Sequence, residues 1–85
     1  MTKIGERIGA IQKADQTAVW FFGYGVYAGD EVPPSGFLHD LDRPNPKLQL
    51  DNGDVVWGYE SWWGPEDQIK EVIGDRQVII VEPER

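Results

Sequence analysis

Tyr59, Trp62 and Trp63 stand close together beside Glu60 and Ser61. Large rings with a few polar handles are the composition of a binding surface. Adjacent residues on extended backbone point to opposite sides, so both Trp62 and Trp63 are buried only if the chain is covered on both flanks. At least one of Tyr59, Trp62 and Trp63 is therefore expected to be partly exposed. An exposed Trp beside carboxylates suits a proline-rich basic peptide, a methylated ammonium, a stacked base or a subunit interface.

Other constellations carry less chemistry. His39, Asp40 and Asp42 gather the only His with two carboxylates, but structural zinc takes four well-spaced ligands, and a solvated loop is the expectation. Asp51 and Asp54 flank Asn52-Gly53 without the ligand spacing of a calcium loop, so no metal is expected and the segment reads as a type I′ hairpin. Gly23, Gly25 and Gly29 lack the Gly-Lys-Ser/Thr of a phosphate loop and read as strand glycines. There is no Cys, and Ser35 and Ser61 lie in no nucleophile elbow. Asp30 with Glu31, or Glu60 near Trp62, offers paired carboxylates, but acidic chains commonly carry such pairs as solvated charge. The chain is not expected to be an enzyme, and no cofactor is expected.

The elements that position these residues follow from period and punctuation. Glu6–Ala14 reads as a first strand after a loose lead-in, and Asp15-Gln16 as a turn. Thr17–Ala28 is the longest strand, with Ala18, Trp20, Phe22, Tyr24 and Val26 on one face and Val19, Phe21, Gly23, Gly25 and Tyr27 on the other. Gly23 and Gly25 mark a bend or a place where another group packs on bare backbone. Gly29–Pro46, with four of the six Pro, reads as a long loop, and Asp30–Pro46 as its functional part. Gly36-Phe37-Leu38 within it offers an apolar anchor. Lys47–Leu50 and Val55–Trp57 form a hairpin that sets Leu50 opposite Val55 and Leu48 opposite Trp57, with Gln49 and Val56 on the other face. Pro65–Ile73 is an amphipathic helix docking Ile69, Val72 and Ile73 and stopped by Gly74. Gln77–Glu82 is a last β-branched strand. This order predicts a mainly β (α+β) domain over residues 1–85, a small, partly open five-stranded barrel of SH3-like type with one short helix before the last strand. A flat sheet covered by the helix is the alternative.

Composition bounds the partners. Eighty-five residues at net charge −7 make one thin-cored domain with little capacity to neutralise phosphates, so no nucleic-acid polymer is expected. The longest apolar run, Ala18–Ala28, is shorter than the ~20 residues of a spanning helix, so no membrane is expected. The absence of Cys suits a reducing cytoplasm.

Arg7–Ile11, Gly23–Pro34, Asn45–Lys47, Leu50–Gly53 and Val56–Glu66 together resemble small accessory proteins of tailed bacteriophages and prophages. The resemblance covers most of the chain and implies a host-cytoplasmic counter-defence protein, possible as a homo-oligomer, that sequesters a cyclic nucleotide signal. Tyr59, Trp62 or Trp63, with Tyr24 or Tyr27, would stack the base. Arg43, Lys47, Arg7 or Arg76 would meet the phosphates. The alternative is an SH3-like module in which the same rings, with Asp30, Glu31 and Glu60, bind a basic or proline-rich segment of a host protein.

Overall fold

The computed structural model describes residues 2–32 and 44–83. Within these residues six strands, one 3₁₀ turn and one helix follow in order: β1 (Arg7–Ala14), β2 (Ala18–Glu31), β3 (Asn45–Leu50), β4 (Val55–Trp57), the turn Gly58–Glu60, β5 (Trp62–Pro65), α1 (Glu66–Ile73) and β6 (Gln77–Ile80). One sheet runs β4-β3-β2-β1-β5, and β6 pairs with β2 off this path. All pairings are antiparallel except the parallel β2–β6 ladder. The two ends of the path, β4 and β5, do not pair with each other, so the sheet is open.

Asp15 makes the first hairpin. Its Oδ1 accepts the amides of Thr17 and Ala18 at 2.8 and 2.7 Å and the Thr17 hydroxyl at 3.1 Å. This is the local carboxylate-to-backbone bonding that makes Asp a turn residue. The lead-in is pinned as well, because the Gly5 amide donates to the Tyr27 carbonyl at 2.7 Å.

β2 serves both halves of the sheet and changes face within its length. Its register against β1 steps from Ala10↔Gly23 to Ile11↔Phe21, leaving Phe22 unmatched. Gly23 lies at φ +140°, a region open mainly to glycine. The predicted alternation through Tyr24 therefore fails. Phe21 and Tyr24 lie on one face, with ring centroids 4.7 Å apart edge to face, while Phe22 and Tyr27 belong to the other. The first face buries Ile11, Val19 and Phe21 beneath Ile69 and Ile73 of α1. The second buries Ile8, Ala10, Phe22, Leu48, Leu50 and Val56, with Tyr27, Trp63 and Val81 packed around them.

Both readings of the strand glycines hold, one for each residue. Gly23 makes the bulge, and Gly25 meets bare backbone. A Cβ at Gly25 would stand 2.1 Å from the Gln49 carbonyl oxygen and 2.6 Å from the Leu50 Cα.

Four further expectations are corrected. The sheet has a sixth strand, because Trp62–Pro65 pairs with β1 in register Ile8↔Pro65 to Ile11↔Trp62. The long loop is shorter than predicted, because Asp30 and Glu31 pair with Pro46 and Asn45. The Asn-Gly hairpin has three loop residues rather than two. The Leu50 amide donates to the Asp54 carbonyl, the Gly53 amide donates to the Leu50 carbonyl, and Gly53 takes φ +97°. The extra residue shifts the register by one, to Leu48↔Val56 and Lys47↔Trp57, and turns Val56 into the core. Finally, Pro65 closes β5 and caps the helix from outside rather than opening it.

Gly25→Ala is expected to destabilise by the upper end of the ~1–3 kcal/mol typical of overpacking, since only main chain can yield. Gly53→Ala, which has open space but a left-handed φ, is expected to cost ~1–2 kcal/mol. Urea denaturation of both variants measures the order, and a smaller loss for Gly25→Ala would contradict it.

Candidate functional site

β5 separates the two central Trp residues as the period of a strand requires. Trp63 pairs with Ala10, whose side chain lies in the core around Phe22, and Trp62 pairs with Ile11, which lies under the helix. Paired residues share a face, so the two indoles lie on opposite sides of the sheet. Trp63 turns inward. Its ring stacks on Tyr27 with centroids 5.8 Å apart and planes within 8°. The absent side chain of Gly58 makes room there, since a Cβ would stand 2.8 Å from the Pro46 ring and 2.9 Å from Trp63 Nε1. The Tyr27 hydroxyl donates to Asp30 Oδ1 at 2.5 Å, and this bond to a carboxylate raises its pKa.

Trp62 is 57% exposed and Tyr59, on the 3₁₀ turn, 49%. The turn between them is braced from within. Glu60 accepts the Trp57 amide at 2.9 Å, and the Ser61 hydroxyl donates to the Trp57 carbonyl at 3.3 Å. The exposed rings are thus carried by ordered backbone next to a buried Trp57.

The remaining predicted site residues that the structure describes are held by other partners. Tyr24 packs on Phe21 with the Lys70 ammonium 5.7 Å from its ring centroid. Arg7 is held by two carboxylates. It makes a two-pronged contact to Asp51 at 2.8 and 2.7 Å and a third bond to Glu66 at 3.1 Å. Glu66 also pairs with Lys70 at 3.2 Å, so a chain of charges ties β1, the hairpin turn and α1 together. Lys47 pairs with Glu31 at 3.3 Å. Arg76 donates to the carbonyls of Val72, Ile73 and Asp15 and fixes the end of α1. Arg43 and the His39, Asp40 and Asp42 group lie outside the described residues, as does the Gly36–Leu38 anchor.

Among the described residues no three His, Cys, Asp or Glu side chains are grouped to hold a metal ion. No described helix is long and apolar enough to cross a membrane. Comparison with models of known protein families, with curated proteins and with solved structures finds no match.

The charge network makes stability acid-sensitive. The bond from Arg7 lowers the pKa of Asp51, and bonds from Arg7 and then Lys70 lower that of Glu66. The backbone amides of Thr17 and Ala18 lower that of Asp15. Carboxylates with folded values below their unfolded ones stabilise fully above the unfolded values and lose this contribution as pH falls through the folded ones. The urea midpoint is expected to hold from pH 7 to about pH 5 and to fall below about pH 4, the ordinary carboxylate range. Asp15→Asn should flatten part of that fall. A midpoint indifferent to acid would contradict these assignments.

Proposed function

We propose that the protein is a non-enzymatic, SH3-like binding module that engages a basic, proline-containing segment of another protein through Tyr59 and Trp62. The observation that carries this reading is the exposure of Trp62 on a braced edge strand whose next residue is turned into the core. A solvent-facing indole offers its face to a guanidinium or ammonium and to a proline ring. The elements on either side of β5 carry Glu60 and Asp67, and the net charge of −7 attracts a cationic partner. Under the phage resemblance, such a module would counter host defence by covering a host protein segment.

Sequestration of a cyclic nucleotide uses the same exposed rings but needs cations for the phosphates. Arg7 and Lys47 would have to leave carboxylates, and Arg76 would have to leave the end of a helix. The peptide reading asks for no such rearrangement, which places it ahead.

Calorimetric titration of the full chain separates the two. A synthetic peptide of Pro and Arg is expected to bind, and a Pro-Glu control and a cyclic dinucleotide are not. Trp62→Ala should weaken the peptide at least tenfold, ~1.4 kcal/mol, while stability stays within ~0.5 kcal/mol of wild type. Trp63→Ala should instead cost roughly 2–3 kcal/mol of stability, less than a fully buried Trp. Peptide affinity unchanged by Trp62→Ala, or binding of the dinucleotide alone, would overturn the proposal.

A further inference from the structure

The outer edge of β6 is the second exposed surface with a defined pattern. The Gln77 amide donates to the Thr17 carbonyl and the Val81 amide to the Phe21 carbonyl. The parallel ladder between them, Ala18↔Gln77 to Phe21↔Ile80, turns the Ile79 amide toward β2 as well. The main-chain N–H and C=O groups of Val78 and Ile80 therefore point away from the sheet. The same two residues expose their side chains, Val78 by 42% and Ile80 by 65%. Among the described residues no strand pairs with this edge. Unpaired apolar edges are templates for another strand.

We infer that this edge pairs with β6 of a second copy of the chain, antiparallel, about a two-fold axis at Ile79. Three features choose a second copy and this register. Val78 opposite Ile80 matches the outward groups of both, giving two reciprocal pairs of hydrogen bonds with Ile79 opposite itself between them. The apolar run Val78-Ile79-Ile80 is self-complementary about its centre, as a two-fold interface requires. The same axis sets Arg76 opposite Glu82, while a shift of one residue in the pairing of either copy loses that match. Arg76 spends its hydrogen bonds on neutral carbonyls, with Asp15 the carboxylate that feels its charge. Glu82 is exposed and has no ion-pair partner among the described residues. The pairing would join two sheets edge to edge and leave Trp62, on β5 across β1 from β2, free in both copies.

Sedimentation equilibrium of the full chain from micromolar to millimolar concentration at ~0.15 M salt tests the pairing, with the average mass expected to rise toward twice that of the monomer. Ile80→Pro removes one outward N–H without touching the ladder to β2 and should weaken association at least tenfold. Ile80→Lys serves the same purpose if the proline variant fails to fold. Glu82→Arg tests the register. Reduced net repulsion alone would strengthen association, whereas Arg opposite Arg76 should weaken it. An isotopically mixed sample should show a contact between Ile79 of the two copies. A monomer at all concentrations, association that survives both Ile80 variants, or strengthening by Glu82→Arg would overturn the inference.

Discussion

The close approach of two main chains at Gly25 is the constraint on which the sheet depends. The carbonyl of Gln49 and the Cα of Leu50 occupy the place where any side chain would begin, so β3 can lie against β2 only because nothing projects there. Two residues earlier, Gly23 takes a backbone angle that other residues rarely adopt and lets Phe22 slip out of register with β1. Together they allow one strand to be a partner of β1 along its length, of β6 at its start and of β3 at its end. The change of face sends Phe21 and Tyr24 under the helix and Phe22 and Tyr27 into the other core. One strand thereby supplies both apolar layers of a thin domain, and the bulge decides which layer Tyr24 and Tyr27 join.

From that arrangement the positions of the two Trp residues follow. β5 adds to β1 and so inherits the face of each β1 residue it opposes. Ala10 is small and core-facing, and it admits Trp63 against Tyr27. Ile11 is buried with Ile69 and Ile73 of the helix, and opposite it Trp62 is left more than half exposed. Among the described residues, the cations expected to meet phosphates, Arg7, Lys47 and Arg76, are used elsewhere. Arg7 holds the hairpin turn to the start of α1, and Arg76 holds the end of α1 to the first turn. The exposed ion pairs of Arg7 individually contribute little in water. Their larger effect is to fix which charges face outward, and what remains outward is mostly acidic.

Much of the fold was legible from local chemistry. The first strand, the helix with its Ile69 and Ile73 stripe, the Gly74 stop and the mainly β class all rest on short-range period and punctuation. Trp62 and Trp63 pointing apart is likewise a property of extended backbone. The misreadings arose where the decisive contact is distant in sequence. Trp62–Pro65 has too few residues, two of them Gly and Pro, to announce a strand, and only β1 makes it one. The face of Tyr24 depends on an unmatched residue in β2, which no count of alternation detects. Asn-Gly favours a two-residue turn, but in the fold Asp51 joins the loop, which shifts the register by one and reverses Val56. Net charge also concealed that Arg7 and Arg76 are structural, since their partners Asp51, Glu66 and Asp15 lie far along the chain.

The division of labour between adjacent indoles, Trp63 for the core and Trp62 for a partner, is open to direct observation. Indole N–H resonances of the four Trp residues can be followed in nitrogen-15 spectra while a proline-arginine peptide is added to the full chain. The expected result is a progressive shift of the Trp62 signal, with those of Trp57 and Trp63 largely still. Movement of the Trp63 signal while that of Trp62 stays fixed would contradict the division and the binding surface built on it.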